Sequence, residues 1–169
     1  MLALGIDPGT AITGFGLVAA ESRELKAVSY GCIRTPATIP MAERLQRIYR
    51  DITILLEKYK PQVVAVEELF FNKNTRTALA VGQARGVSLL AAANYGVTVC
   101  EYTPLQVKQS VVGYGRAEKA QIQYMVRTLL ALAEEPKPDD VADALAIAIC
   151  CQNSRKWEKK TAGREEGKI

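Results

Sequence analysis

Residues 61–68 read Pro-Gln-Val-Val-Ala-Val-Glu-Glu. A short, unbroken apolar run of this kind lacks the alternation of a half-exposed strand. It fits a strand buried on both faces, which requires helices on either side of a sheet. The chain start repeats the pattern: Leu2-Ala3-Leu4-Gly5-Ile6-Asp7 runs into Pro8-Gly9-Thr10, a strand followed by a turn. Between these runs, Thr13 to Ala20 and Lys26 to Arg34 are rich in β-formers and suit antiparallel strands. Met41, Leu45, Ile48, Ile52, Leu55 and Leu56 recur at helical spacing and predict an amphipathic helix over residues 40–59. Further on, residues 74–94 predict a helix stopped near Gly96, and Val97 to Tyr102 predicts a strand. Thr103-Pro104 supplies an N-cap and a first-turn proline for a short helix to Val112. A helix over residues 117–132 follows. After Pro136 and Pro138, Asp139 or Asp140 caps a last helix ending near Asn153. The order βββαβαβ followed by helices predicts an α/β fold. Its five-stranded mixed sheet is antiparallel at one edge, with helices on both faces.

The 169 residues, 49% hydrophobic and 24% charged, suit one globular domain. Residues 1–153 are read as that domain and residues 154–169 as a loose basic tail. No apolar run approaches the roughly 18 residues of a membrane helix. The start has no basic region ahead of an apolar block, so no signal peptide is expected. Cys32, Cys100, Cys150 and Cys151 form no Cys-x-x-Cys pair and read as reduced cytosolic thiols. The absence of histidine excludes His-based triads, His-ligated zinc and an imidazole base. No segment matches a nucleotide P-loop, and no Gly-x-Gly-x-x-Gly follows a strand.

Charge is segregated along the chain. Residues 69–133 carry seven basic side chains against Glu101 and Glu118, net +5. Residues 134–154 carry Lys137 against Glu134, Glu135, Asp139, Asp140 and Asp143, net −4, and residues 155–169 are net +3. Either this is surface scatter, or a polyanion is held beside an acidic, metal-binding spot.

The carboxylates sit at unusual places. Asp7 and Glu67 end apolar strands, and parallel neighbours would bring both to one sheet edge. Asp140 and Asp143 share a helix face. An aspartate inside Val141-Ala142-Asp143-Ala144-Leu145-Ala146 is costly unless paired, and that stretch offers no cation. Taken singly, Asp7 could merely open a turn, Glu67 end a strand and Asp140 cap a helix. Four carboxylates without histidine favour Mg²⁺ or Mn²⁺ over Zn²⁺. Two such ions can activate water and stabilise a leaving oxygen on phosphorus.

Five segments together carry a resemblance. They are Gly5-Ile6-Asp7-Pro8-Gly9, Ala65-Val66-Glu67-Glu68-Leu69-Phe70, Gly82-Gln83-Ala84-Arg85-Gly86, Gln106-Val107-Lys108-Gln109 and Asp140-Val141-Ala142-Asp143-Ala144-Leu145-Ala146. In this order and spacing the chain resembles the RuvC family of bacterial Holliday-junction resolvases over residues 2–151. The resemblance implies an RNase H-like fold and a homodimer that cuts four-way DNA junctions with paired symmetric nicks, in recombination and repair. It implies Mg²⁺, replaceable by Mn²⁺, as two ions per site, and work alongside the RuvA–RuvB branch-migration complex in the cytoplasm. Its four acidic positions fall on Asp7, Glu67, Asp140 and Asp143, with Asp7 bridging the two ions. Phe70 matches an aromatic that stacks on junction bases, and Lys108 and Lys119 match basic positions near the scissile phosphate. Arg76 is a candidate for a contact with the DNA backbone.

Three rivals remain at this level. Asp7-Pro8-Gly9-Thr10 also resembles the phosphate loop of actin-like sugar kinases, which need a second similar domain. A non-enzymatic junction-binding module would bind without metal-dependent nicking. A related nuclease could act on RNA instead.

Overall fold

A computed structural model of the chain describes residues 1–21, 24–69 and 75–165, with side chains left out at 75–77 and from 156 onward. Five strands form one sheet: β1 (Leu2–Asp7), β2 (Ile12–Glu21), β3 (Glu24–Arg34), β4 (Val63–Glu67) and β5 (Thr98–Tyr102). Their order across the sheet is β3-β2-β1-β4-β5. The β1–β2 and β2–β3 pairings are antiparallel, and β1–β4 and β4–β5 are parallel. The helices among the described residues are α1 (Met41–Tyr59), α2 (Thr75–Tyr95), α3 (Pro104–Val112), α4 (Lys119–Leu129) and α5 (Asp139–Glu165). The mixed sheet with its antiparallel edge is the one expected.

The alternation of side chains along a strand divides the interior into two cores. Leu4 and Ile6 of β1 and Val64 and Val66 of β4 face α1 and α2, where Ile48, Ile52, Leu56 and Ala84 meet them. Ala3 of β1 and Val63 and Ala65 of β4 face the other way, towards α3, α4 and α5. The central strands are therefore apolar on both faces, as residues 61–68 foretell.

Helix α5 lies against the centre of the sheet, and glycines permit it. A Cβ on Gly5 would clash with the Ala144 carbonyl and lie 2.7 Å from the Ala148 nitrogen, and one on Gly14 would clash with the Asp140 carbonyl. The helix backbone thus approaches β1 and β2 more closely than any side chain would allow. Farther along, the fully buried Gln152 donates from Nε2 to the Met1 carbonyl (2.9 Å) and the Val18 carbonyl (2.7 Å). Asn153 Nδ2 reaches Ser110 Oγ at 3.1 Å, tying α5 to α3.

Two helix bounds differ from expectation. Helix α4 is shorter than residues 117–132: it starts at Lys119 because Glu118 and Gln121 form a capping box. At its other end Leu130 leaves helical geometry, and Ala131 takes a positive φ of 49°. Helix α5 continues past Asn153 to Glu165. Its extension is rich in Lys, Arg and Glu, all good helix formers. Arg155 contributes through Nη1, 3.7 Å from Met1 Sδ.

Candidate active site

Strand parity and register place the first two carboxylates. β1 and β4 run parallel with Ile6 opposite Val66, so the next residues on the two strands are Asp7 and Glu67. Both share the parity of Ala3, Val63 and Ala65, and so both point to the α5 side. The turn after Asp7 is pinned. Thr13 Oγ1 donates to the Gly9 carbonyl at 2.7 Å, Thr35 Oγ1 donates to the Thr10 carbonyl, and Arg44 Nε donates to Thr35 Oγ1 at 2.9 Å.

Helix α5 supplies the other two. Its close seat on Gly5 and Gly14 brings its first turns to the same sheet edge. Asp7, Glu67 and Asp143 line a cleft of about 260 Å³ together with Lys108 of α3 and Lys119 of α4. Asp140 lies beside that lining, near enough for its charge to act on Asp7. A larger hollow of about 770 Å³ runs along α1, lined by Glu43, Arg47, Arg50 and Glu57 among others. Its lining holds none of Asp7, Glu67, Asp140 and Asp143, so the smaller cleft is the candidate site.

The electrostatics of the cleft are those of crowded, buried acids. Burial, then repulsion from Asp143, Asp140 and Glu67, pushes the Asp7 carboxyl up to about 7, against a smaller opposing pull from Lys119. Glu67 is raised by burial and by Asp143, with Lys108 opposing. Asp143 is raised by burial, with Lys119 opposing and Asp139 and Asp140 adding repulsion. Burial depresses Lys119, but its contacts with Asp139 and Asp143 outweigh that and leave it above the usual lysine value. Lys119 Nζ sits 3.1 Å from Asp139 Oδ2 and 3.3 Å from Asp143 Oδ2.

Among the described residues, no three acidic or cysteine side chains are gathered tightly enough to grip one ion as they stand. The donor chemistry nevertheless fits a hard cation. Every candidate ligand is a carboxylate, and three of them stay raised despite the nearby lysines. The cysteines are elsewhere and free. Cys150 and Cys151 are buried in the α5 core, and burial pushes the Cys151 thiol up to about 11.

Of the residues singled out from sequence, Asp7, Glu67, Asp143, Lys108 and Lys119 share the cleft, and Asp140 adjoins it. Phe70 lies outside the described residues. Arg76 is placed in α2, but its side chain is not described. Two further contributors are not singled out by the sequence. Arg85 of α2 donates from Nε to the Glu67 carbonyl at 3.1 Å and pairs with Glu101 of β5, so it fixes the backbone that carries Glu67. Asp139, readable only as a possible cap, holds Lys119. For Arg85 the available signal is its place in the Gly82–Gly86 segment, Gly-Gln-Ala-Arg-Gly.

Comparison with known proteins points to one family. The family model for crossover junction endodeoxyribonuclease RuvC matches residues 3–151. A protein of that name from Heliobacterium modesticaldum is 63% identical over 157 residues, covering 93% of this chain and 97% of its own. Another from Moorella thermoacetica is 60% identical, covering 97% of this chain and 100% of its own. The structure of Thermus thermophilus RuvC in complex with a Holliday junction substrate superposes with a TM-score of 0.84 at 40% identity, over 89% of this chain and 92% of that one.

Proposed function

The chain belongs to the RuvC family of crossover junction endodeoxyribonucleases, and we propose that it resolves four-way DNA junctions at the cleft between β1, β4 and α5. One observation carries the assignment of the site: two strand ends and the start of α5 converge with two lysines on one hollow.

Asp7, Glu67, Asp140 and Asp143 would hold the divalent cations, Mg²⁺ or Mn²⁺ and two per site. Bound there, such ions supply Lewis acidity and a more acidic water. The chain's own residues do the rest. Burial and the charges of all three other carboxylates oppose ionisation of Asp7. It therefore gains most from a cation. Lys108 and Lys119 face a phosphate from the α3–α4 side and stabilise charge on its oxygens. Arg85 keeps Glu67 in register through its main chain. No histidine is present to serve as a base. Phe70 stacking on a base, Arg76 on the DNA backbone, a homodimer matching the two-fold symmetry of a junction, cooperation with RuvA–RuvB and a cytoplasmic setting complete the reading.

The test is cleavage of a synthetic mobile four-way junction beside linear duplex, with Mg²⁺ and with EDTA. Paired symmetric nicks only on the junction and only with metal are expected. Binding without nicking would favour the binding-module reading, and equal cutting of duplex would remove the substrate assignment.

A further inference from the structure

Lys119 and Gln123 lie one helical turn apart on α4, and Asp139 and Asp143 lie one turn apart on α5. The two pairs face each other. Lys119 Nζ bridges Asp139 Oδ2 (3.1 Å) and Asp143 Oδ2 (3.3 Å), and Gln123 Nε2 donates to Asp139 Oδ1 at 2.9 Å. Only one of the two carboxylates belongs to the cleft: Asp143 lines it and Asp139 does not. Asp139 has no place in the proposed ligand set, yet both its oxygens are engaged.

We propose that Asp139, oriented by Gln123, is a positioning residue that keeps the Lys119 ammonium at the mouth of the cleft when a cation takes Asp143. This inference rests on the function proposed above. A cation on Asp143 removes one of the two anchors of the lysine and repels its ammonium. The Lys119 side chain is 54% exposed and its stem is flexible, so with no second anchor it would swing into solvent. Asp139 supplies that anchor outside the ligand set. The lysine can give up Asp143 and still stand within reach of a phosphate. Asp139 also shares the lysine while no cation is bound, so Asp143 is only partly neutralised and remains open to one.

As a surface ion pair this contact contributes little to stability, so a purely structural role predicts small effects throughout. Asp139→Asn keeps an acceptor for Gln123 but removes the charge. Single-turnover cleavage of a four-way junction in saturating Mg²⁺ is expected to slow by about 5–20-fold in D139N, with junction affinity within about two-fold. Asp139→Glu should restore most of the rate. In a Lys119→Met background the same D139N change should cost less than about two-fold, because its effect is carried by the lysine.

A second readout needs no DNA. Mg²⁺ titration of the free protein, followed by calorimetry, should show D139N binding about 3–5-fold more weakly, as Lys119 settles on Asp143 alone. That loss should also vanish in K119M. A wild-type rate in D139N, or a loss of equal size with and without Lys119, would overturn the proposal. If the wild-type protein fails to nick junctions, the functional reading falls, and the Mg²⁺ titration still decides the clamp.

Discussion

Replacing Asp7 by asparagine should make the metal-free protein more stable. The Asp7 carboxyl is held at about 7 in the fold against an ordinary value of 3.8. A raised carboxylate favours the protonated folded form. Below about pH 4 the group is protonated in both folded and unfolded chains and costs nothing. Between there and about pH 7 the unfolded chain ionises while the fold resists, so stability falls as pH rises, and above pH 7 the loss is complete. At about 1.36 kcal/mol per pH unit, the full penalty has a ceiling of about 4 kcal/mol. Asparagine has nearly the same shape and no charge, so D7N removes the penalty. In urea unfolding with EDTA, D7N should exceed the wild type by about 1–4 kcal/mol near pH 8 and match it near pH 4. Mg²⁺ should close most of that gap by stabilising the wild type, by about 2.7 kcal/mol at a hundred times its dissociation constant, and D7N much less. A D7N protein no more stable than the wild type at pH 8, or an advantage that does not change with pH, would refute the crowded-acid account.

The same D7N protein should bind junctions normally and cut none, as a gel assay with saturating Mg²⁺ would reveal; intact cleavage would remove Asp7 from the site. Gly14→Ala places a methyl group against the Asp140 carbonyl. It should lower stability by about 1–3 kcal/mol and slow cleavage, through displacement of α5 rather than any change in charge. Arg85→Ala strips the Glu67 carbonyl of its donor and leaves Glu101 unpaired. Because Glu101 is 45% exposed, we expect a loss of about 1–2 kcal/mol, with a fall in kcat at unchanged junction affinity. If the tail binds DNA, removing residues 156–169 should reduce the slope of log binding constant against log salt by about 0.9 for each phosphate the tail neutralises; an unchanged slope would exclude it from the interface.

Much of the site is legible in the sequence because strands obey a period of two. Once Leu2–Asp7 and Val63–Glu67 are read as parallel neighbours, one assumption about register puts both carboxylates on one face. The aspartate inside an apolar helix is legible for a different reason: Asp143 has no cation in its own segment, so its partner has to come from elsewhere. The structure supplies Lys119, from a different helix. What stays hidden depends on tertiary contact. Arg85 is one charge on a helix of mixed character, and nothing local says it reaches the Glu67 main chain. Asp139 is indistinguishable by sequence from any acidic first-turn residue, which the helix dipole alone would favour. The length of α5 is hidden because its charged extension has helix propensity but no apolar face, and periodicity detects only faces.

The apolar frame and the acidic site therefore make opposite contributions, and glycine links them. Gly5 and Gly14 seat α5 on the sheet, which buries Leu145, Ile147 and Ile149 in the core. The same close seat drives Asp140 and Asp143 towards Asp7, where their charges repel. Packing that is favourable along most of α5 is thus what enforces the unfavourable crowding at its start. Relief cannot come from α5 moving away, because Gln152, farther along the helix, is fixed to the main chain of Met1 and Val18. It has to come from positive charge brought in from outside the sheet. Lys108 and Lys119 supply part of it from the α3–α4 side, and the acids that stay raised despite them define how much a bound cation has left to supply.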